Sequence, residues 1–301
     1  MLSLCHYTKY TVLSDDSVRN IVIAINILSL IIAGPGNIIT ISVIAKTRKL
    51  REQPTYLFIG SVCLADSLVS CISQPLYITT LLLESNDRYC VLYQLFFVFG
   101  WLSAFGSVIG LNMVTLDRYM YITFPLRYPE KMNRRRAITL IILTWMIAVL
   151  FAVIPVVWLN STILHSLLFA HNSVSCVLVF FTYQRIYKQV RFISSKHTCM
   201  AAHEDHAAQR QATKTVFIVV FFFVVCWGPW TVLSFMMSIK EQLVDDIGVS
   251  YHQKTFKIVQ SMTLTMGFMG SAVNVFIYTF KNKELKKEWK KFIFGLPERK
   301  K

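Results

Sequence analysis

Apolar residues in this 301-residue chain come in long blocks rather than in the stripes of a half-buried helix. A helix needs about 20 apolar residues to cross the hydrocarbon core of a bilayer. Seven segments meet that length, and we number them spans 1 to 7: residues 18–45, 54–83, 92–122, 137–158, 162–190, 213–239 and 256–280. Their Lys and Arg residues stand near the ends, where long basic side chains reach the interface. The pattern predicts an all-α membrane protein built as a seven-transmembrane helix bundle.

A short amphipathic segment follows span 7. Within residues 281–292, the apolar side chains Leu285, Trp289 and Phe292 recur at helical spacing between lysines. This spacing is typical of a helix that lies in the plane of the membrane interface. We therefore divide the chain into an extracellular N-terminal segment (1–17), a membrane domain (18–280), and an amphipathic eighth helix with a short cytoplasmic tail (281–301).

The charge of the chain is consistent with a membrane protein once its distribution is considered. Only 16% of residues are charged, yet the formal net charge is +15, which would also suit a nucleic-acid-binding protein. The basic residues cluster in alternate connections: Lys46, Arg48, Lys49 and Arg51; Arg127, Lys131, Arg134, Arg135 and Arg136; Arg185, Lys188, Arg191 and Lys196; and the lysines after residue 280. This positive-inside pattern predicts an extracellular N-terminus and a cytoplasmic C-terminus. The surplus charge is then expected to face anionic membrane lipids and cytoplasmic partners rather than nucleic acid.

Polar groups inside hydrocarbon are costly, so each one is a candidate for function. They mark every span except the fifth: Asn37; Asp66; Asp117-Arg118-Tyr119 at the end of span 3; Trp145; Cys226-Trp227-Gly228-Pro229; and Asn274-Val275-Phe276-Ile277-Tyr278. In this order and spacing they resemble the signature residues of class A, rhodopsin-like G-protein-coupled receptors over nearly the whole chain. The resemblance implies a plasma-membrane receptor that activates a heterotrimeric G protein on binding an extracellular ligand, and it implies no enzymatic activity.

The resemblance implies a coupling site at the cytoplasmic end of the bundle. It comprises Asp117, Arg118, Tyr119, Leu126, Tyr183, Gln209, Asn274 and Tyr278. Asp117 would hold Arg118 at rest, and Arg118 would then be released toward Tyr183, Tyr278 and the G protein. Resting relatives often add an acidic residue where this chain has the neutral Gln209, so we expect a weakened resting lock and appreciable signalling without ligand.

Two helix-distorting prolines of the family are missing, while a third is present. Pro229 removes one hydrogen bond from span 6 and is expected to kink it. Trp227 resembles the family's rotamer switch beneath the ligand, which is compatible with its also filling the core. Val275 replaces the usual proline of span 7, and Ser175 replaces that of span 5.

Asp66 allows two interpretations. The family implies an allosteric sodium site, with Asp66 as the charge and Ser107 and Ser271 as oxygen ligands of the kind a hard cation prefers. Alternatively, Asp66 is a structural hub for hydrogen bonds from Asn37 and Asn274. Gly270 stands where the family usually has an asparagine ligand. Apart from this ion, no cofactor is expected.

The ligand is expected between the outer halves of spans 3, 5, 6 and 7. The candidate residues are Phe97, Gly100, Trp101, Ala104, His171, Trp230, Ser234, Leu264 and Phe268, close to Trp227 and Thr231. Gly100 stands where amine receptors carry an aspartate, which disfavours a biogenic amine. A mostly aromatic, uncharged pocket suits an apolar or lipid-like ligand. The other interpretation is that these are ordinary core aromatics and that the ligand binds closer to the extracellular surface.

The connection between spans 4 and 5 is short and contains no cysteine, so the family's common disulfide cannot form there. Only Cys5 and Cys90 are placed to meet an oxidising compartment, either bridged or as two free thiols. Asn160-Ser161-Thr162 is a glycosylation sequon, but it lies close to the membrane. The short loop and the run from Pro54 to Ser61 resemble the group of melanocortin, cannabinoid, lysophospholipid and adenosine receptors.

Other functions remain as alternatives at this stage. A constitutively active or atypical receptor without a conventional agonist is suggested by Gln209, Val275 and Ser175. A transporter or channel is a more remote alternative, since there is no inverted repeat and no second buried ion pair along a pathway. An enzyme is disfavoured because the spans contain no metal-ligand cluster and no nucleophile–base pair.

Overall fold

The computed structural model describes residues 15–83, 87–157, 161–196, 221–236 and 250–295, together with Leu13 and Ile218. Within these residues every regular element is helical. The helices of spans 1 to 7 are Asp16–Lys46, Pro54–Leu82, Asp87–Thr123, Arg134–Val157, Ser161–Lys196, Phe221–Met236 and Ser250–Lys281, followed by the eighth helix, Lys283–Phe294. Short helices Arg48–Arg51 and Tyr128–Lys131 lie in the connections after spans 1 and 3. The prediction of an all-α helix bundle is confirmed.

Several of these helices are long and apolar enough to cross a bilayer. In the part of the chain that the structure describes, spans 1 to 4 meet this criterion alone, and span 7 meets it jointly with the eighth helix across a bend of 98°. The described part of span 6 is a shorter apolar helix. Span 1 has 31 residues, about 45 Å of helix, which exceeds the roughly 30 Å of hydrocarbon.

Local sequence accounts for where the helices begin and end. The Asp15 side chain accepts hydrogen bonds from the backbone N–H groups of Ser17 and Val18 at 3.0 and 3.2 Å, and so caps span 1. Asn282 interrupts the helix after span 7 and caps the eighth helix by accepting from the N–H of Leu285. The eighth helix therefore begins two residues later than predicted. Gly295, at φ +61°, ends it in the left-handed conformation that favours glycine.

Span 2 contains a distortion that the sequence did not predict. Residues Val69–Ser73 form one π-helical turn, and Pro75 follows within the next turn. Such turns widen an α-helix locally and are frequent at functional sites. This one separates Asp66 from Gln74.

Span 3 packs against spans 2, 4 and 5, while span 1 packs between spans 2 and 7. Buried side chains form one cluster around Phe58, Val62 and Tyr278 near Arg118, and a second around Tyr77, Trp227 and Phe268 toward the opposite end. Large apolar side chains such as Leu28, Leu150 and Phe180 point outward and are exposed. Exposed apolar surface of this extent suits contact with lipid rather than water.

Candidate functional site

The carboxylate of Asp117 lies fully buried at the end of span 3 and accepts three hydrogen bonds. Thr55 Oγ1 donates to its Oδ2 over 2.5 Å, the Tyr128 hydroxyl to its Oδ1 over 2.7 Å, and Arg118 Nη2 to its Oδ2 over 3.2 Å. The Arg118 side chain is 17% exposed, and its guanidinium lies 5.4 Å from the centre of the Tyr121 ring. Arg118 is thus paired with its neighbour inside a network from three parts of the chain.

Tyr128 belongs to the short helix between spans 3 and 4, and its hydroxyl acts as a donor to Asp117. Burial, and then the negative charge of Asp117 with the hydrogen bond to it, raise the pKa of Tyr128 well above its ordinary value of 10.0. The hydroxyl therefore keeps its proton throughout the physiological range. This donor was not identified from the sequence.

The other predicted coupling residues have different surroundings. Tyr278 is buried, and its hydroxyl has no hydrogen-bond partner among the described residues. Leu126 is 92% exposed in the connection after span 3, and the ring of Tyr119 meets that of Phe124 edge-on at 6.3 Å. Asn274 donates a hydrogen bond to Asp66. Gln209 and the side chain of Tyr183 lie outside the described residues.

Asp66 is buried between spans 2 and 7 and accepts one hydrogen bond on each carboxylate oxygen. Ser271 Oγ donates to Oδ1 and Asn274 Nδ2 donates to Oδ2, both over 3.0 Å. Asn37 donates to the backbone carbonyls of Ala33 and Ser271, at 2.9 and 3.3 Å, rather than to Asp66 itself. This geometry makes Asp66 a hydrogen-bond hub between spans 2 and 7.

The same residues were tested for their fit to a sodium ion. Asp66, Ser107 and Ser271 are all buried and offer oxygen atoms, which are the ligands a hard cation prefers. Among the described residues, Ser107 makes no hydrogen bond to Asp66. Gly270 supplies no side-chain ligand and instead packs against span 6, where a Cβ would lie 3.3 Å from that of Cys226. The donor set fits a cation, with one ligand fewer than the family pattern.

Trp227 is packed closely against two glycines of span 7. A Cβ on Gly267 would lie 3.0–3.2 Å from its ring atoms, and one on Gly270 would lie 3.7 Å from its Nε1. The Trp227 ring also meets the rings of Phe268 and Trp230 edge-on, each at 6.0 Å. Movement of Trp227 is therefore coupled directly to span 7. The spacing of Gly267 and Gly270, one helical turn apart, is the sequence signal for this contact.

The predicted pocket residues form a chain of aromatic contacts between spans 3, 5 and 6. Trp101 lies 5.4 Å from Phe97, 5.9 Å from Phe105 and 6.0 Å from Trp230, measured between ring centres. Leu264 and Phe268 belong to the neighbouring cluster with Trp227. A Cβ on Gly100 would meet no atom within 4 Å, so this position borders open space, and Ala104 is half-buried.

Two polar side chains of span 5 carry buried atoms that lack a partner in the described part of the chain. They are Nε2 of His171, whose ring lies 5.2 Å from that of Phe105, and Oδ1 of Asn172. The other end of the Asn172 amide donates to Thr231 Oγ1 over 3.1 Å, and Ser234 is buried one turn further along span 6. Asn172 was missed in the sequence, where one polar residue beside His171 has no distinctive spacing.

Each residue that replaces a family proline has a specific partner. Ser175 Oγ accepts a hydrogen bond of 2.8 Å from Asn112 Nδ2, which ties span 5 to span 3. Val275 packs against Gly36 of span 1 so closely that a Cβ on Gly36 would lie 2.6 Å from its Cγ1. The two replacements therefore introduce contacts between helices.

The predicted disulfide and glycan lie outside what the structure describes, because Cys5, Asn160 and the side chain of Cys90 are not among the described parts. Among the described side chains, Cys63, Cys71, Cys176 and Cys226 are free thiols.

Comparison with known proteins shows which family this chain resembles. The sequence matches the family profile described as 7 transmembrane receptor (rhodopsin family) over residues 36–177 and 159–278. It is 25% identical to the melatonin receptor type 1C of Gallus gallus over 291 residues, covering 91% of this chain and 82% of that receptor. It is 27% identical to cannabinoid receptor 1 of Xenopus laevis over 83% of this chain and 58% of the relative. The D(1B) dopamine receptor of Xenopus laevis is 24% identical, with 81% and 64% covered. The chain therefore belongs to the rhodopsin family of seven-transmembrane receptors, which are multi-pass membrane proteins and not enzymes.

Proposed function

We propose that this chain is a plasma-membrane receptor that activates a heterotrimeric G protein when an extracellular ligand binds between spans 3, 5, 6 and 7. The observation that carries the proposal is the ion pair between buried Asp117 and half-buried Arg118 at the end of span 3. A guanidinium held by its neighbour at a helix end can exchange partners when the surrounding helices move. Leu126, exposed in the connection after span 3, offers an apolar contact to a cytoplasmic partner.

In the proposed activation step, span 6 moves outward and Arg118 leaves Asp117. The Tyr278 hydroxyl, buried and without a partner among the described residues, gains one as Arg118 and Tyr183 approach. The packing of Trp227 against Gly267 and Gly270 supports coupled movement of spans 6 and 7. Ligand contact at Trp227 or Trp230 would thus affect both span 6 and span 7.

The proposed ligand is uncharged, largely apolar or lipid-like, and carries one hydrogen-bonding group. Aromatic walls around Trp101 and the open space at Gly100 support the apolar part. His171 Nε2 and Asn172 Oδ1 support one polar contact at span 5. The relatives are named for melatonin, a cannabinoid and dopamine, three different ligands, and Gly100 argues against a biogenic amine.

The first test is ligand-free G-protein activation in cells expressing the full chain, measured across the four Gα classes. We expect a signal above that of untransfected cells because Gln209 leaves the resting lock without its second acidic partner. Arg118→Ala at matched surface expression is expected to abolish this signal, and Gln209→Glu to lower it. Unchanged signalling in both variants would contradict the proposed coupling site.

A constitutively active receptor without a conventional agonist is the second candidate. The Asn112–Ser175 and Gly36–Val275 contacts favour it, since they replace two helix distortions with ordinary packing. Gly100→Leu, which fills the open space in the proposed pocket, separates the two candidates. It would leave the basal signal of a constitutive receptor unchanged, whereas it would remove the response of a ligand-gated one to a compound found by screening.

We also propose that Asp66, Ser107 and Ser271 bind an allosteric sodium ion. The purified receptor is then expected to unfold at a higher temperature in sodium chloride than in choline chloride at equal ionic strength. Asp66→Asn is expected to remove that difference. Equal unfolding temperatures for the unsubstituted chain would instead favour Asp66 as a purely structural hub.

A further inference from the structure

The side-chain amide of Asn172 in span 5 has one orientation, which two successive hydrogen bonds determine. A backbone carbonyl can only accept, so the Thr231 hydroxyl donates its single proton to the carbonyl oxygen of Trp227 over 2.8 Å. Thr231 Oγ1 can then only accept from another residue, and Asn172 Nδ2 donates to it over 3.1 Å. The amide therefore leaves Oδ1, which is an acceptor only, for a different partner.

This Oδ1 atom of Asn172 is buried and has no hydrogen-bond partner in the part of the chain that the structure describes. The same holds for Nε2 of the adjacent His171, whose ring lies 5.2 Å from that of Phe105 in span 3. Buried polar atoms nearly always have a partner, and an unpaired one costs free energy. A neutral imidazole nitrogen donates or accepts according to which nitrogen carries the proton, whereas an amide oxygen only accepts. Asn172 is therefore the more selective of the two.

The hydrogen bond of Asn172 joins it to the aromatic residues of the proposed ligand site. Its partner Thr231 directly follows Trp230 in span 6. The Trp230 ring lies 6.0 Å from that of Trp101 in span 3 and 6.0 Å from that of Trp227. Asn172 is thus attached to the side of the site that spans 5 and 6 form.

A second contact, one helical turn away, holds spans 5 and 6 together. The rings of Phe169 and Phe235 are stacked, with 4.2 Å between their centres and 7° between their planes. Phe169 precedes Asn172 by three residues and Phe235 follows Thr231 by four, so the stack and the hydrogen bond lie on the same face of each helix. The stack therefore helps to keep Asn172 Nδ2 on Thr231 and its Oδ1 available.

We propose that Asn172 Oδ1 accepts a hydrogen bond from the ligand, so that the receptor selects an uncharged, largely apolar molecule carrying an O–H or N–H donor. This inference rests on the proposed ligand site between spans 3, 5, 6 and 7 and makes it more specific. A ligand whose only polar group is an ether, ester or ketone would leave this oxygen unpaired on burial. Asn172 is neutral, so it supplies no counter-charge for an ammonium group.

Two probes with the same bicyclic skeleton, 1-indanol and 1-indanone, test this selectivity. Both offer an acceptor oxygen, but only the alcohol donates. Their dissociation constants are measured by ligand-observed NMR on the purified full chain in lipid nanodiscs, and uptake by empty nanodiscs is subtracted. We expect the alcohol to bind roughly tenfold more tightly, because the ketone leaves a buried acceptor unpaired. Equal affinities, tighter binding of the ketone, or no binding of either probe would overturn the inference.

Two substitutions are expected to remove the preference for opposite reasons. Asn172→Leu deletes the acceptor, so binding of 1-indanol is expected to weaken to that of 1-indanone. Thr231→Val deletes the group that orients the amide, so Asn172 can turn its N–H toward the ketone, and binding of 1-indanone is expected to strengthen. Loss of general stability would not shift the two probes in opposite directions. A preference that survives Asn172→Leu would contradict the role of Asn172.

Asn112→Leu is the matched control for these variants. Asn112 Nδ2 also donates to a hydroxyl of another helix, that of Ser175 over 2.8 Å, and this bond ties span 3 to span 5. We expect the control to keep the preference for the alcohol. If Asn112→Leu removes the preference as well, the effect belongs to the packing of span 5, and the inference is wrong.

Gly100→Leu separates failure of this inference from failure of the proposed ligand site. It fills the open space at Gly100, so both probes are expected to bind more weakly. If both weaken but no preference depends on Asn172, the site stands and the inference is wrong. If neither responds to Gly100→Leu, the probes bind elsewhere, and both the site and the inference are contradicted. The comparison of the probes on the unsubstituted chain needs no variant, so it is decisive even if a substituted chain does not fold.

Discussion

Asp117 is tolerated in the interior of the protein because its charge is surrounded by donors. A buried carboxylate without partners would be very costly, and Thr55, Tyr128 and Arg118 each supply a hydrogen bond. Thr55 lies in the first turn of span 2 and Tyr128 lies after span 3, so the charge also joins separate parts of the chain. Arg118 is thus paired with a carboxylate that hydrogen bonds from other parts of the chain hold in place.

Replacing Tyr128 tests how much its hydrogen bond to Asp117 stabilises the protein. Tyr128→Phe keeps the ring, which meets Tyr121 edge-on at 5.2 Å, but leaves Asp117 Oδ1 without its donor. We expect a loss of about 1–3 kcal/mol in the free energy of unfolding, measured by thermal denaturation of the purified receptor. Tyr121→Phe is the matched control, since Tyr121 is 37% exposed and is expected to lose little. Equal losses in the two variants would contradict the role of the hydroxyl.

The contact between Gly36 and Val275 gives a second prediction at the scale of single residues. Gly36→Ala places a methyl group 2.6 Å from Val275 Cγ1, and we expect it to cost about 1–3 kcal/mol through overpacking. Val275→Ala in the same chain removes the obstructing atoms and is expected to restore most of the stability. A double variant as unstable as the sum of both single changes would show that the two residues do not oppose each other.

At the scale of elements, the eighth helix is attached to the bundle by packing and polar contacts together. Leu285 is fully buried, and Trp289 Nε1 donates to Thr40 Oγ1 of span 1 over 3.0 Å. Glu284 accepts from the Tyr56 hydroxyl over 3.0 Å and pairs with Lys49 from the connection after span 1. The helix is therefore attached to spans 1 and 2.

The Glu284 contacts predict a dependence on pH. Burial raises the pKa of Glu284, but the hydrogen bonds from Lys49 and Tyr56, with the charge of Lys49, outweigh it and leave the pKa below its ordinary value of 4.5. Because the folded pKa is lowered, this contribution is present above the ordinary value and is lost as pH falls through the lowered one. Hydrogen exchange in Lys283–Phe294, corrected for intrinsic rates, is expected to rise as the pH falls below the ordinary value of 4.5. The rise is expected to be small, since Lys49 is largely exposed.

Two variants provide controls for this effect. Glu284→Gln is expected to remove the pH dependence, because the titrating group is gone. Glu288→Gln is expected to keep it, since the ion pair that Glu288 forms in the described part of the chain lies within the helix, with Lys291 at 2.7 Å. The same pH dependence in all three chains would assign the effect to other carboxylates.

At the scale of the whole molecule, the apolar outer surface and the basic connections together favour one orientation in the membrane. Positive connections are retained on the cytoplasmic side during insertion. An epitope tag before Asp16 is therefore expected to bind antibody on intact cells, and a tag after Gly295 only after permeabilisation. The reverse staining pattern would contradict the proposed direction of signalling, because Arg118 would then face outward.

The sequence alone was sufficient to predict the all-α bundle and the family. It also placed the ends of every described span except span 6 to within six residues. Much of the predicted range of span 6 lies outside the described residues. Insertion into a bilayer depends on the length and mean hydropathy of a segment, and both are properties of consecutive residues. Motifs such as Asp117-Arg118-Tyr119 and Cys226-Trp227-Gly228-Pro229 are also local, so the family follows from them without knowledge of contacts.

Only the tertiary structure decided which side chains meet. Asn112 with Ser175 and Asn26 with Gln74 and Thr265 are contacts between residues far apart in the chain. They depend on how far each helix is rotated about its axis and shifted along it relative to its neighbours. Hydropathy contains little information on either, because these spans are apolar on nearly every face. The donors to Asp117, the glycines beneath Trp227 and the hydrogen bonds of Asn26 therefore follow from packing between helices, which composition and spacing do not determine.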